Sequence, residues 1–320
     1  MFSSTSLQTL NRNRIWAACL IFVGAVLFST KAVLVKLAYR EEIDTISLLA
    51  LRMLFALPIY LLVAYFSDRR HAAKVSRKDY GYIALFGAMG YYMASLLDFM
   101  GLRYITAGLE RLILFVYPTL VLFLSALFLG KSVTSKQLLA LVLTYGGILV
   151  TFIDPYTFTD NEEIWKGSLL VFGAAFAYAA YLVGSGSMVA RIGTMRYTSL
   201  AMSAACIAVL IHHGISAQWD LFDFSWDIYR LALLMAIIAT VLPSFLIMEG
   251  IRIIGSSNAS IIGSVGPIST IVMAYLFLDE RFGYLQALGT FLVIGGILII
   301  SLSKKDAKVV EKKKERQLSS

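Results

Sequence analysis

The sequence predicts an all-α polytopic membrane protein whose ten transmembrane helices form two inverted five-helix repeats. Three observations lead to this fold class. The chain is 59% hydrophobic and only 15% charged, whereas soluble domains carry about 25% charged residues. Apolar segments of about 20 residues, long enough to cross a bilayer, recur along the whole chain. The second half of the sequence also repeats the first half at a constant offset.

The apolar segments predict ten spans, and because the loops are short, consecutive spans should pack antiparallel. The first apolar segment is longer than the apolar region of a signal peptide, so we interpret it as a retained span. We place the spans at residues 15–38, 46–66, 81–101, 104–128, 135–153, 165–187, 195–213, 229–250, 257–278 and 285–303.

The distribution of lysine and arginine predicts how the spans are oriented. Ten spans put both termini on one side, and most basic residues outside the spans lie on that side. Because basic residues mark the cytoplasmic face, we expect both termini in the cytoplasm and a multi-pass protein of the plasma (inner) membrane. The net charge of +8 belongs to these short loops and one tail, so we expect no nucleic-acid partner.

The internal repeat is the strongest signal in the sequence. Residue n matches residue n + 149 without a gap across five spans, and Pro118 thereby aligns with Pro267. Since five is odd, the second copy must run through the membrane in the opposite direction. The loops agree with this, because the basic segment 69–79 aligns with the acidic segment 218–228. Many secondary transporters use such inverted repeats and bind substrate near the midplane, at the repeat interface.

These signals divide the chain into five parts. We expect a cytoplasmic N-terminal segment, a first five-helix repeat, an extracytoplasmic linker, a second five-helix repeat and a basic cytoplasmic tail. Their predicted bounds are residues 1–14, 15–153, 154–163, 164–303 and 304–320.

Apart from Lys36 and Lys136 near span ends, five charged residues interrupt the spans of the first repeat, and the equivalents of these five in the second repeat are uncharged. The charged residues are Lys31, Arg52, Asp98, Glu110 and Arg111. A charge at the bilayer centre costs roughly 2.5–3.5 kcal/mol, so these side chains need partners or water. One interpretation is a cluster that binds a charged or zwitterionic solute. The other is a set of internal ion pairs that lock the helices together.

The helical geometry limits how these charges can pair. Glu110 and Arg111 point about 100° apart on a helix, so they cannot easily pair with each other. We expect Arg52 or Lys31 to pair with Glu110, and Asp98 to pair with Arg111. Asp98 or Glu110 can also carry a proton if burial favours the neutral acid, which makes the proton a candidate partner.

Uncharged polar residues add stripes to several of the same spans. They are Tyr91, Ser95, Tyr117, Tyr178, Tyr181, Thr240, Ser244, Ser260 and Ser264. The stripes on the third and fourth spans favour a water-lined cavity, which makes these residues candidates for substrate binding. For the serines, close helix packing is an equally good explanation. Pro118 and Pro267 break backbone hydrogen bonds and serve either as gating points or only as kinks for packing.

Several motifs resemble EamA-type members of the drug/metabolite transporter superfamily. They are "GAVLFSTKAVLVKLA" (24–38), "LLALRMLFALP" (48–58), "GLRYITAGLERLILFVYPTLVLFLSALFLG" (101–130), and "NASIIGSVGPISTIVMAYLFLDE" with "GTFLVIGGILIIS" (within 258–301). Nearly all of residues 15–303 share the resemblance. It implies two inverted five-helix halves around a central cavity lined mainly by spans 1, 3, 4, 6, 8 and 9. It also implies the export of amino acids or other metabolites.

The sequence departs from this family at the end of the fourth span, where members often have an acidic residue. Here Gly130 and Lys131 occupy that place, while the second copy has Asp279 and Glu280. We interpret the difference as a charge that sets the orientation in the membrane.

The sequence therefore predicts a secondary transporter that exports a small polar metabolite, such as an amino acid or a related solute, by alternating access. The alternatives are a structural, channel-like or lipid-handling membrane protein. An intramembrane enzyme fits least, because the histidines lie near span ends and no paired-aspartate or metal-binding motif occurs. We expect no catalytic residue, cofactor or metal site. The expected partners are the lipid bilayer and the solute, and no oligomeric state is favoured.

Overall fold

The fold is seen in a computed structural model that describes residues 4–70, 75–130, 134–154, 163–216 and 220–299. In these ranges the chain forms α-helices with two π-helical turns and no strand. We number the helices α1 Ser4–Tyr39, α2 Thr45–Arg70, α3 Arg77–Gly101, α4 Ala107–Leu129, α5 Ser135–Ile153, α6 Ile164–Ile192, α7 Thr194–Ser216, α8 (Trp226–Ala236, Ile237–Val241 and Leu242–Gly263), α9 Val265–Leu278 and α10 Tyr284–Ile299.

Each predicted span coincides with one of these helices, which confirms the all-α membrane fold. Among the described residues, eight helices are long and apolar enough to cross a bilayer, and α9 and α10 are shorter apolar helices. The boundary between the eighth and ninth spans differs from the prediction, because the helical segment Leu242–Gly263 includes the expected loop. Within this segment Gly250 packs against Ala17 of α1, and the first turn of α9 then lies beside Ser29 of α1 at Gly266.

Two helices break where the twinned prolines were expected to act. In α4 the first α-helical segment ends at Leu114, and in α8 the last one ends at Gly263. Each is the fourth residue before a proline, Pro118 or Pro267. A proline has no N–H to bond that carbonyl, and its ring clashes with it. The predicted backbone breaks are therefore confirmed, whereas a gating role stays a prediction.

The packing of α5 against α10 shows that the two copies run in opposite directions. A Cβ built on Gly147 would lie 2.6 Å from the Gly289 carbonyl oxygen, and one built on Gly296 would lie 2.6 Å from the Ala140 carbonyl oxygen. The two contacts are equivalent, because the repeat offset relates Gly147 to Gly296 and Ala140 to Gly289. Residue numbers rise along α5 as they fall along α10, so these equivalent helices are antiparallel.

The two copies also pack against each other reciprocally at the centre of the bundle. In one contact, Gly24 of α1 packs against α8, where a built Cβ would lie 3.3 Å from Leu246. In its equivalent, Gly173 of α6 packs against α3, with the same 3.3 Å to Leu97. Each copy thus places its first helix against the third helix of the other, and the interior is lined from both copies.

Two π-helical turns occupy equivalent positions in α3 and α8. They are Ala88–Met93 and Ile237–Val241, and the offset of 149 residues makes these two segments equivalent in the repeat. A π turn inserts one residue into the helix and is frequent at functional sites. Here the two turns contain the site candidates Tyr91 and Thr240, which are themselves equivalent residues.

At the end of the bundle where α1 stops, which we call the Tyr39 end, the second copy caps a helix of the first. The Glu280 carboxylate accepts hydrogen bonds from the backbone N–H groups of Ala107 at 2.8 Å and Gly108 at 3.3 Å. An acidic group is stabilising at a helix N-terminus. Burial nevertheless raises the pKa of Glu280, against the opposing effects of these hydrogen bonds and of Lys36. The interpretation of this charge as an orientation signal is therefore incomplete.

Candidate functional site

The five charged residues of the first repeat all lie inside the protein rather than against lipid. None of their side chains belongs to a residue more than 5% exposed. They come from α1, α2, α3 and α4, and together they comprise three cations and two carboxylates. The sequence prediction that the protein interior shelters these charges is thus confirmed.

Lys31 joins the two carboxylates. Its Nζ lies 2.5 Å from Asp98 Oδ2 and 3.2 Å from Glu110 Oε1. This confirms Lys31 as one of the two partners expected for Glu110. The contact ties α1 to α3 and α4 at a single buried ammonium group.

Arg111 makes a different contact from the one predicted. Its Nη2 donates to the Ser29 hydroxyl at 3.2 Å, and its guanidinium lies 5.2 Å from the ring centroids of Phe28 and Phe115. The predicted pairing of Arg111 with Asp98 is wrong, because Lys31 bonds that carboxylate. The face of α4 that carries Arg111 is directed toward α1 and α9 instead.

Glycine brings α9 close to this guanidinium. A Cβ built on Gly266 would lie 3.2 Å from Arg111 Nη2 and 3.5 Å from Ser29 Oγ. The Ser29 hydroxyl in turn lies 3.0 Å from the Gly266 carbonyl oxygen. A larger residue at this position would crowd the arginine, so the first turn of α9 forms one wall of the site.

Arg52 reaches across to the second copy. Its Nε donates to the Thr240 hydroxyl at 2.8 Å, and its guanidinium lies 5.2 Å from the ring centroid of Phe99. The alternative pairing of Arg52 with Glu110 is therefore wrong. Thr240 bonds the carbonyl of Met235, five residues earlier, at 2.8 Å, so the π turn sets the position of the hydroxyl that Arg52 contacts.

A second hydrogen-bonded pair lies next to Arg52 and joins α2 to α8. The Tyr60 hydroxyl lies 2.8 Å from Ser244 Oγ, and Ser244 lies 2.7 Å from the Thr240 carbonyl oxygen. Tyr60 is completely buried and was not predicted. It extends the polar surface of the site in the direction of the second copy.

Four of the predicted tyrosines form one aromatic group. The ring centroids are 4.9 Å apart for Tyr91 and Tyr181, 5.8 Å for Tyr178 and Tyr181, and 5.2 Å for Tyr117 and Tyr178. The Tyr181 hydroxyl donates to that of Tyr91 at 3.2 Å. The structure thus brings α3, α4 and α6 together here, with Phe115 6.1 Å from Tyr117 as the link to Arg111.

The remaining candidates are less closely tied to the cluster. Ser95 is half-buried on α3, and its hydroxyl has no hydrogen bond to a residue in the described ranges. Ser264 is buried where α8 gives way to α9. Ser260 lies within the helical segment Leu242–Gly263, but its side chain is outside the described part of the chain.

Four buried polar atoms of the cluster have no hydrogen-bond partner among the described residues. They are Arg52 Nη1, Arg111 Nε, Asp98 Oδ1 and Glu110 Oε2. Buried polar groups are normally satisfied, so each exception needs an explanation. Two are donors on cations and two are acceptors on carboxylates.

Sequence reasoning missed Ser29 and Phe28, which hold Arg111, as well as Tyr60. Ser29 could have been found, because the repeat offset aligns it with Tyr178, a residue already chosen. Phe28 and Tyr60 align with Ala177 and Val209, and an aromatic residue within an apolar span carries no signal that separates site from core.

A model of the EamA-like transporter family matches the chain twice, at residues 15–153 and 165–302. The two matches follow the two copies found by the repeat offset. Together they include all or most of every helix described above and every candidate site residue, and they cover most of the chain.

Similar full-length proteins occur in bacteria. An uncharacterized transporter of Bacillus subtilis, YcbK, is 29% identical over 92% of this chain and 94% of its own length. An uncharacterized inner membrane transporter of Salmonella typhimurium, YicL, is 24% identical over 89% and 95%. A solved crystal structure, 16% identical, superposes with a TM-score of 0.62 over 91% of this chain and 98% of that one, which supports the fold alone.

Proposed function

The chain belongs to the EamA-like transporter family, and we propose that this membrane transporter is a secondary carrier that exports a small zwitterionic or charged metabolite, such as an amino acid. The observation that carries the proposal is the buried cluster of Lys31, Arg52, Asp98, Glu110 and Arg111. It lies where α8 and α9 of the second copy meet α1 to α4 of the first.

The chemistry of the cluster supports a solute with both signs of charge. Arg111 offers an unsatisfied Nε beside two aromatic rings, and a guanidinium is well suited to a carboxylate. Asp98 and Glu110 each keep one unsatisfied oxygen that can accept from an ammonium group. Because a buried unpaired charge is costly, a ligand that satisfies these atoms offsets that cost.

Alternating access requires that the two copies move relative to each other around the solute. The breaks before Pro118 and Pro267 and the paired π turns give each copy equivalent positions at which a helix can bend. Lys31 lies between two carboxylates, so the loss or gain of a proton at Glu110 would change the charge balance of the site. We therefore propose the proton as the coupling ion.

We propose that both termini lie in the cytoplasm, which makes the Tyr39 end extracytoplasmic. The distribution of basic residues in the sequence supports this orientation. A bacterial inner membrane is the corresponding location, since a relative carries that description in its name. The five-part division at residues 1–14, 15–153, 154–163, 164–303 and 304–320 belongs to the same proposal.

The test begins with a thermal-shift screen of the purified full-length protein against amino acids, nucleosides and sugars, because a ligand stabilises the state that it binds. Any stabilising solute is then followed in proteoliposomes with wild type, Glu110→Gln and Arg111→Gln. We expect saturable flux in wild type and a loss of about tenfold or more in each variant, since hydrogen bonds to charged groups contribute about 1.5–3 kcal/mol.

Arg230→Gln provides the matched control. Arg230 is exposed on α8 and pairs with Asp227, three residues earlier on the same helix, at 3.1 Å. Its substitution removes one positive charge outside the site, as Arg111→Gln removes one inside it. Folding of every variant is checked by size-exclusion chromatography. Normal flux in both cluster variants would contradict the proposed site, and ion currents at channel rates would contradict the carrier.

A further inference from the structure

A cavity of about 620 Å³ opens at the Tyr39 end, separate from the buried cluster. It lies between the end of α1, the loop after it, the start of α4 and the end of α9. Its charged lining residues are Lys36, Arg40, Glu42, Arg103 and Glu280. The volume falls within the usual range for small-molecule sites, about 300–1,000 Å³.

The three cations in this lining differ in how they are held. Arg40 Nη2 donates to the Leu278 carbonyl at 3.2 Å, and Arg103 Nη2 donates to the Ile43 carbonyl at 3.2 Å. Lys36 is half-buried and makes no hydrogen bond or ion pair with a residue in the described ranges. Lys36 interacts electrostatically with Glu280 without a direct hydrogen bond, so its ammonium group is still able to donate hydrogen bonds to an anionic group.

The cavity lies next to the buried cluster along three helices. Its lining residues Leu102 and Thr106 each lie four residues from a carboxylate of the cluster, Asp98 and Glu110 respectively. Lys36 lies five residues from Lys31 on α1. Four or five residues correspond to about 6–7.5 Å along a helix, so the cavity and the cluster lie little more than one helical turn apart.

The lining also contains an internal competitor for an anion. The Glu280 carboxylate already occupies the N-terminus of α4 through Ala107 and Gly108, and Glu42 adds a second negative charge. Glu42 has a φ of 60°, a left-handed conformation that is uncommon outside glycine and strains the backbone. Such strain is frequent at ligand sites.

We propose that this cavity is a second binding site, in which Lys36 holds the carboxylate of the transported solute at the Tyr39 end. The inference rests on the proposed function, because the same solute occupies the buried cluster before or after it. The ligand class is a small molecule with an α-carboxylate. Arg40 and Arg103 add positive potential, and the two acidic residues weaken binding.

The test uses isothermal titration calorimetry with full-length Arg111→Gln protein, in which the buried site is impaired. The probes are glycine, L-leucine, L-phenylalanine, L-glutamate and L-lysine, each beside its α-carboxamide. We expect at least one carboxylate to bind while its carboxamide does not. Adding Lys36→Gln should weaken that binding about tenfold, whereas Lys36→Arg should retain it.

Two further variants keep the test decisive if Lys36→Gln does not fold. Glu42→Gln removes an exposed negative charge from the lining and should tighten binding of the carboxylate. Arg230→Gln removes a positive charge at the same end but outside the lining, and should leave binding unchanged. Binding that is equal in Lys36→Gln and Arg230→Gln, or no tightening in Glu42→Gln, would overturn the second site.

Failure of this inference is separable from failure of the proposed function. If wild-type proteoliposomes transport a solute but no carboxylate binds Arg111→Gln protein, the second site is refuted and the carrier stands. If carboxylates bind in the Lys36-dependent way but wild type transports neither them nor any solute from the thermal-shift screen, the cavity stands as a binding site and the carrier proposal is refuted.

Discussion

The two copies share one scaffold but differ in the chemistry that they place on it. Close glycine contacts recur at equivalent positions, as for Gly147 with Gly289 and Gly296 with Ala140. Helix breaks and π turns recur as well. The five charges of the cluster, however, lie only in the first copy, and the buried Arg196 of the second copy lies elsewhere, at the start of α7. Packing symmetry therefore does not require symmetry of the site.

The equivalent positions of the second copy are used for packing. Arg52 corresponds to Ala201, which is fully buried, and a Cβ built on Gly87 would lie 2.4 Å from the Ala201 carbonyl oxygen. Glu110 corresponds to Ala259, only 4% exposed. A long charged side chain has no room at such close contacts. One copy thus supplies the charges, while the other supplies close packing and single polar contacts such as Thr240.

The largest expected effect comes from removing the shared cation of the first copy. Lys31→Met leaves Asp98 and Glu110 buried without their counter-ion, and breaking a buried ion pair on one side costs about 3–5 kcal/mol. We expect a loss of that size in the free energy of unfolding, measured by denaturant titration in detergent, together with loss of flux.

A neutralised cluster distinguishes stability from function. The triple variant Lys31→Met, Asp98→Asn, Glu110→Gln removes the unpaired charges, and replacing buried ion pairs is often close to neutral for stability. We expect it to recover most of the stability but none of the flux. If Lys31→Met alone is as stable as wild type, the ion pairs do not hold the first copy together.

A smaller effect is expected where the copies meet at the two π turns. Thr240→Val removes the partner of the Arg52 guanidinium, and hydrogen bonds to charged groups contribute about 1.5–3 kcal/mol. Tyr91→Phe, at the equivalent position, removes a bond between neutral hydroxyls, for which about 0.5–1.5 kcal/mol is expected. Thermal unfolding should rank the two variants in this order, and equal losses would indicate that Thr240 acts only through packing.

The shared scaffold should respond alike in both copies. Gly147→Ala and Gly296→Ala each place a Cβ against a backbone oxygen of the partner helix, and overpacking costs about 1–3 kcal/mol. The neighbouring Gly146 and Gly295 have open space where a Cβ would be placed, so their alanine variants should be neutral or slightly stabilising. Unequal melting temperatures for the two close-contact variants would show that the copies pack differently.

The smallest effect on stability is expected at the wall of the site. Gly266→Ala places a methyl group 3.2 Å from Arg111 Nη2, where a flexible side chain can shift by a few tenths of an ångström. We expect little change in melting temperature but a raised KM for transport. Gly263→Ala, with open space around its Cβ, is the control, and an equal KM in both variants would place α9 outside the site.

The fold was predictable because its determinants are periodic. Apolar runs gave each helix, the offset gave the inverted copies, and Pro118 and Pro267 marked the two helix breaks. The π turns were not predicted, since one inserted residue changes no hydropathy pattern. The helix through the expected loop at residues 251–256 was missed because Arg252, Gly255 and Ser256 interrupt the apolar sequence there, and such an interruption suits either a loop or a helix.

The site was predictable by residue type but not by partner. Sequence spacing shows which face of a helix holds Arg111, but not which neighbour that face meets once the bundle closes. More than one cation lies within reach of Asp98 on the predicted helices, and Lys31 is the one that pairs with it. Arg52 bonds a hydroxyl of the other copy, a choice that depends on the crossing of α2 and α8 and on the π turn at Thr240.

The most direct test of the central claim is an experimental structure of the protein with the solute identified by the thermal-shift screen. We expect solute density between the two copies, with a carboxylate within about 3.2 Å of the Arg111 guanidinium and an ammonium group near Asp98 or Glu110. Density elsewhere, with the contacts of Lys31 and Arg111 unchanged, would mean that the charges of the first copy are structural and that the solute is recognised by other residues.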